Sequence, residues 1–519
     1  MEINKVFKDI VIIGSGLAGL TACSELQNNN IDIGIITTGD TCHGASFHPN
    51  TWGLGMVYAE NEEDKKDFIK TIGDVGGNIN NESLTKILIN NAEKEILNLS
   101  NLGVNLKNSL NNELVIPCYD YKGRVWKGFD FTSAKNIFNN LFSKKNVQLF
   151  NHCTVLDIFN FNDSSKGLLM IDKDENFTFI RCKALIIASG GYTSLYSNSF
   201  SLEKNTPIIH YFAEKLGCKM INLEFIQFIP TSYCNKYKAV FNERAYQYIT
   251  LLNKYGSDVI PLKDKHYLKK RSTYAPFTSR MDCKNIDFHI FKENVKSDEK
   301  VYFYYPDNIE TINDTLIYNY FKWLKDMYGD INEKIYLVHS AHACNGGIEI
   351  NEKSESSVSG IFACGEATGG IHGSDRIGGL STVGAMVFGR IAAKNAKEHI
   401  KNKKIDNTID IFPYIDDFFK DVLKIDELKA KEAINYVRSS LYDNTAIIRN
   451  KESLENLKIN YSKLMSNLYY NSNFTFNENF NKKYIITKIQ AKSFLKFGQT
   501  LLQSMINREN SLGSHYIEN

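Results

Sequence analysis

Two glycine-rich stretches, and a few charged residues beside the second, carry the chemistry available to this sequence. Gly14-Ser15-Gly16-Leu17-Ala18-Gly19 stands between an apolar run at Ile10–Ile13 and a segment of helical periodicity from Leu17 to Leu26. That order suits a dinucleotide pyrophosphate: Gly14 permits the tight turn, Gly16 lets phosphates approach the backbone, and Gly19 lets helix and strand pack closely. The N–H groups of the helix N-terminus, in the turn that holds Ser15 and Ala18, then face the phosphates. One part of the pattern is missing. The acidic residue expected about twenty positions on is absent, and Thr37 and Thr38 occupy its place. Ribose contact falls to hydroxyls or backbone, and this stretch alone does not separate NAD from FAD.

The second stretch spans residues 342–390 and reads His342-Ala-Cys-Asn-Gly-Gly-Ile, then Gly360-Ile-Phe-Ala-Cys-Gly-Glu366, then His372-Gly-Ser-Asp-Arg376-Ile-Gly-Gly, then Val387-Phe-Gly-Arg390. An apolar run ending in Gly365-Glu366, followed by a further glycine-rich turn, returns the chain to the dinucleotide domain to wrap the far end of a long cofactor. A single-domain NAD site does not require it.

Together these pieces resemble the flavoprotein subunits of succinate dehydrogenase and fumarate reductase, and L-aspartate oxidase. The matching segments also include Ala188-Ser-Gly-Gly191, Glu224-Phe-Ile-Gln-Phe-Ile-Pro-Thr231, Ser340-Ala-His342, Gly346-Gly-Ile348 and a degraded closing motif, Arg508-Glu-Asn-Ser-Leu-Gly-Ser-His515. They run end to end in the family's order. The resemblance implies FAD, held noncovalently in an extended site, with Glu366 near ribityl or ribose hydroxyls and Ser381 close to the flavin. Gly53, Ser189, Gly190 and Gly365 join the cofactor-binding set. It implies hydride transfer between flavin N5 and a carbon beside a carboxylate, in a C4-dicarboxylate or its amino analogue. His342 and Arg376 then clamp the carboxylates, and Arg280, in Thr278-Ser-Arg-Met-Asp282, delivers or removes the proton. His43 and His48 are the positions for a covalent flavin link, beside the loosely matching Thr51-Trp-Gly-Leu-Gly55.

Elementary chemistry supports the same residues. A carboxylate beside an electron-rich flavin needs cationic donors, and guanidinium binds it bidentately where ammonium does not. Donors at Arg376 and His342 also stabilise the enolate-like charge that develops as hydride adds or leaves. An arginine that donates a proton has a pKa above about 12 and needs a carboxylate relay. Glu243 and Asp282 are the candidates, and Arg271 is an alternative clamp or surface residue.

Four positions depart from the family. A substrate-binding histidine is replaced by Ile229, which neither hydrogen-bonds nor carries charge. The family's glycine-rich Glu-Arg stretch has become Phe241-Asn-Glu-Arg-Ala-Tyr-Gln-Tyr248, and the Ser-Asn-Ser-Leu element is Gly379-Leu-Ser-Thr382. The loop that carries an ammonium-binding glutamate in aspartate oxidases, here Val115–Arg124, has no glutamate at that place. The expected activity is therefore FAD-dependent oxidation or reduction of a small carboxylate. The alternatives are L-aspartate oxidase-like amine oxidation and a non-catalytic electron-transfer subunit.

The elements that position these residues follow from composition and periodicity. The chain has 519 residues, 43% apolar and 23% charged, with 61 basic against 59 acidic side chains. That excludes disordered and disulfide-stapled classes and offers no electrostatic case for nucleic acid. The ten cysteines form no C-x-x-C, so no iron–sulfur or structural zinc spacing is written, and electrons must leave through a partner, a soluble carrier or oxygen. No metal ligands are assigned. No long apolar run predicts a signal peptide or membrane span, and a cytoplasmic location with free thiols is expected. The predicted fold is α/β: a Rossmann-like FAD-binding domain split by an α+β capping domain, followed by a C-terminal helical domain. Its limits are 1–234 and 336–405 for the FAD-binding parts, 235–335 for the cap and 406–519 for the helices, expected at Ile425–Leu441, Leu454–Leu468 and Ile485–Ile506.

Overall fold

The computed structural model describes residues 2–42, 44–47, 55–108, 122–200, 206–235, 237–329, 333–406, 408–470 and 482–518. Strand β1 (Ile3–Ile13), helix α1 (Leu17–Leu26) and strand β2 (Ile33–Ile36) open the chain. The sheet they begin has seven strands. Val147–Phe150 pairs parallel with β2, β2 with β1, and β1 with Phe177–Ile187. Ile361–Ala363 pairs parallel with the end of Phe177–Ile187, and Lys166–Ile171 and Thr154–Asn160 complete an antiparallel meander on its beginning.

Register brings the strand ends to one level. Ile13 lies opposite both Ile36 and Ile187, Ile36 opposite Phe150, and Ile187 opposite Ala363. Five parallel strands therefore finish together, and ligands of open α/β sheets bind outside such carboxyl ends. Ile10, Val11, Ile12, Ile33 and Ile35 are fully buried, as a sheet covered on both faces requires. Ile361–Ala363 comes far along the chain, so the dinucleotide domain closes only when residues 361–363 return to it.

Between the two halves lies a four-stranded antiparallel sheet of Tyr237–Val240, Ile226–Cys234, Ile335–Cys344 and Tyr302–Phe303. Helices Asn285–Lys296 and Thr315–Tyr328 accompany it, and an apolar cluster of its own runs from Cys234 to Leu337. The predicted tail helices are present as Glu427–Thr445, Lys451–Asn467 and Ile485–Asn507. Two start on side-chain caps: Asp426 accepts from the Lys429 N–H and Asn450 from the Ser453 N–H. A further helix, Phe412–Leu423, begins with Pro413 in its first turn. Its Phe419 ring packs edge-on against Phe177 at 5.3 Å, so these helices share the core of the first sheet. Among the described residues no helix is long and apolar enough to cross a membrane.

The turn after β1 works as its glycines demand. Gly14 has φ +111°, a conformation side chains rarely adopt, and a Cβ at Gly19 would lie 2.0 Å from the Gly14 carbonyl oxygen. Gly19→Ala is therefore expected to cost about 1–3 kcal/mol by overpacking, read as a lower midpoint in denaturant unfolding. An unchanged midpoint would remove the close helix–strand approach as a constraint.

Candidate active site

A cavity of about 400 Å³ runs from the first glycine turn to the edge of the second sheet, within the range of small-molecule sites. At one end it is walled by Gly14, Ser15, Gly16, Ala18, Thr37 and Thr38, at the middle by Ser189, Gly190, Gly365 and Glu366, and at the far end by His342, Arg376 and Ser381. Thirteen of the sequence-predicted site residues thus share one wall. Gly19 stands behind it, packed on Gly14. Gly53, His43 and His48 lie outside the described residues, as does most of the Val115–Arg124 loop.

Two helices start at this cavity. α1 begins after Gly16 and Leu380–Ile400 after Gly379; neither receives a side-chain cap, and neither has an acidic residue in its first turn. Their N–H groups and positive dipole ends are suited to anionic or electron-rich ligand atoms. The Ser15 hydroxyl is 2.9 Å from the Thr37 hydroxyl, tying the turn to the end of β2 where an acid is usual. Ser189 Oγ and Gln227 Oε1 are buried and have no hydrogen-bond partner in the protein, and both residues line the cavity. A cradle with two uncapped helix starts and two polar atoms left to a ligand fits an extended dinucleotide such as FAD.

Arg376 sits on the turn preceding Leu380–Ile400 and donates from Nη1 to Ser381 Oγ at 2.9 Å. The turn is held on every side. Gln227 Nε2 donates to the Arg376 carbonyl at 3.3 Å, and Asn345 Nδ2 and Ser514 Oγ each donate to the Ser374 carbonyl at 3.2 Å. Burial pushes the Glu366 carboxyl upward, against the pull of the Cys344 N–H, 2.9 Å away, and of Arg376. Burial, with Arg376 adding to it, holds the His372 imidazole down to about 3. It is therefore neutral at ordinary pH.

His342 reaches the wall through a backbone irregularity. Phe228 lies opposite Ala341 but Gln227 opposite Ala343, so His342 is the extra residue of a β-bulge, a device that re-aims one side chain. Ile229, one alternation beyond Gln227, lines the cavity as well.

Three sequence expectations need correction. Neither Glu243 nor Asp282 serves Arg280: Asp282 is bonded to Lys270 at 2.7 Å on the surface, and Glu243 is buried within its own turn. The carboxylate on Arg280 is Asp375, fully buried, which accepts from Arg280 Nε at 3.0 Å and Thr278 Oγ1 at 2.7 Å. Its position inside the His372–Arg376 motif was the available signal, because an acid enclosed by a glycine turn must find a partner. Arg271 is neither clamp nor surface residue. It is wholly buried, bound twice to Asp287 at 2.8 and 2.9 Å, with His339 Nε2 2.8 Å from the same carboxylate. Arg271 also donates to the carbonyls of Tyr274 and Ala275, and so braces the segment whose Ala275 and Pro276 line the cavity. Arg280 itself is not on the wall, and its side chain keeps 29% of its surface exposed.

Burial raises the Asp375 carboxyl to about 6, although Arg280 and Thr278 oppose it. Asp375 therefore takes up a proton in the folded state at a pH where the unfolded chain releases it, and its contribution favours folding less as pH rises from about 4 to about 6. Asp375→Asn is expected to gain thermal stability relative to the parent across that window and to keep a constant offset above it. A constant offset at every pH would show that Asp375 titrates normally.

The comparisons fit this geometry. Residues 9–382 match the model of the FAD binding domain family. A fumarate reductase (CoM/CoB) subunit of Methanothermobacter marburgensis is 23% identical over 98% of this chain and 94% of its own. An L-aspartate oxidase of Clostridium acetobutylicum is 24% identical over 77% of this chain and 91% of its own. In fold, the E. coli quinol fumarate reductase FrdA chain superposes with a TM-score of 0.80 at 18% identity, covering 100% of this chain and 92% of that one. The chain belongs to the FAD binding domain family, and is an FAD-dependent oxidoreductase related in sequence to fumarate reductase and L-aspartate oxidase flavoproteins.

Proposed function

We propose that the protein moves a hydride equivalent between its flavin and the carbon skeleton of a small carboxylate, at the bond next to that carboxylate. The reading rests on one observation: the uncapped start of Leu380–Ile400, Arg376 and His342 share the far wall of the FAD cavity. Bound FAD supplies reversible two-electron chemistry. Gly14, Gly16, Ser189 and the two helix starts hold it, with Glu366 accepting from cofactor hydroxyls. Arg376 grips the substrate carboxylate through its guanidinium edge while the Ser381 bond sets the plane of that group. His342 donates to the same end of the substrate and steadies charge that builds there. Phe200, Ile229 and Pro276 narrow the space and keep water from the reacting carbons.

Arg280 is the proton-handling residue in this proposal and Asp375 the relay behind it, with residues 235–335 acting as a cap that carries Arg280 toward the cavity. Electrons leave or enter through an iron–sulfur partner or a soluble carrier, since the sequence has no C-x-x-C. The aspartate oxidase relative, 24% identical over 77% of this chain, supports amine oxidation as the second reading.

Purified protein is expected to show a flavin spectrum that loses its yellow colour to the supernatant on denaturation and that is bleached or re-oxidised by carboxylates. Hydrogen peroxide formed from aspartate in air would select the second reading, and no response to any carboxylate would sink both. Arg376→Ala is expected to raise KM and lower kcat, with kcat/KM down by about a hundredfold, the loss expected for a charge-assisted bond. An unchanged kcat/KM would remove Arg376 from the site.

A further inference from the structure

The far end of the cavity is unevenly built. Beside Arg376, His342, Gln227 and Ser381 it is lined by Phe200, Ile229, Val240, Ala275 and Pro276, whose side chains offer a ligand no donor. Ile229 is 4% exposed and faces Ser340 across the sheet; Val240 faces Thr231. On the same two strands Thr231 Oγ1 lies 2.6 Å from Ser340 Oγ, both buried, and neither residue lines the cavity. The Phe200 ring stands 6.4 Å from the His342 ring. Among the described lining residues Arg376 is the one arginine or lysine.

From this largely apolar lining with one cation we infer that the substrate is a monocarboxylate with a hydrocarbon body, such as a short 2-enoate or its saturated acid, and not a C4-dicarboxylate. The inference rests on the function proposed above and names the substrate class of the same site. One carboxylate meets Arg376. A second, at the other end of a four-carbon chain, would meet apolar lining such as Ile229 and Val240, where it loses water and gains no donor from those side chains, a penalty that weakens binding by roughly a hundredfold. A methyl or ethyl group there is instead removed from water, and each added methylene tightens binding by about fourfold. Ile229 is the specificity-determining position, because on the wall beside Gln227 it presents carbon and no donor.

Calorimetric titration of the FAD-loaded full chain, with oxidised flavin and no electron donor, separates binding from turnover. Trans-2-butenoate is expected to bind at least tenfold tighter than fumarate, butanoate tighter than succinate, and trans-2-pentenoate about fourfold tighter than trans-2-butenoate. Ile229→His, compared at equal flavin content, is expected to move the ratio of fumarate to butenoate affinity at least tenfold toward fumarate. Tighter binding of fumarate or succinate than of the enoate by the parent protein overturns the inference and leaves the proposed function standing. A ratio unmoved by Ile229→His also overturns it. Binding of no acid of either class, with an unperturbed flavin spectrum, overturns the proposed function itself.

Discussion

Helices Leu17–Leu26 and Leu380–Ile400 begin at Gly16 and Gly379 with no capping side chain and no acid in the first turn. Each leaves backbone N–H groups that an α-helix cannot satisfy internally, and both sets open on one cavity. The dipoles add, so the cavity is prepared for negative charge before any side chain is counted. This constraint orders the rest of the molecule. The two helices lie more than 350 residues apart in the chain, and they are brought together because Ile361–Ala363 pairs with Phe177–Ile187 in the same sheet that contains β1. Everything between them is free to become something else, and it forms the second sheet and its cluster.

That second unit approaches the cavity through segments held by buried charge. Asp287 binds Arg271 and His339 with no exposure at any of the three. Burial drives the Asp287 carboxyl upward, but Arg271 and His339 outweigh it and keep the group below the usual carboxylate range. Such a cluster contributes little net stability, because desolvation offsets the attraction, but it is costly to break and so fixes geometry. What it fixes is the Tyr274–Ala275 backbone beside the cavity. The turn with Arg376 is fixed differently, by neutral bonds from Gln227, Asn345 and Ser514 to its carbonyls, which keeps charge at the guanidinium for a ligand. The chain's last segment takes part in both halves: the Ser279 N–H donates to the Gly513 carbonyl while Ser514 holds Ser374.

Much of this was legible in the residues. The first strand–turn–helix and the three tail helices follow from hydrophobic period and breakers, which act within a few residues. The cofactor wall was legible because glycines at fixed spacing have few other uses. The long β1, extending back to Ile3, was not: its early residues mix exposed Asn4, Lys5 and Phe7 with half-buried Ile3 and Val6 and show no clean alternation, and pairing with Phe177–Ile187 sets their conformation.

Sequence alone determined a dinucleotide site and which residues can carry charge, since these depend on residue types and short spacings, and FAD followed from the family resemblance. It did not determine who meets whom. Arg280 was paired on paper with nearby acids, yet its partner Asp375 lies 95 residues away. Arg271 looked available and is sealed against Asp287. His342 is aimed by a bulge that exists only when Ile335–Cys344 pairs with Ile226–Cys234, and Ile229 became a wall only when Val240 and Pro276 closed beside it. Burial decides which charges must be paired and which face a ligand, and burial is a property of the packed chain, because only packing removes water from one side of a residue and leaves it on another.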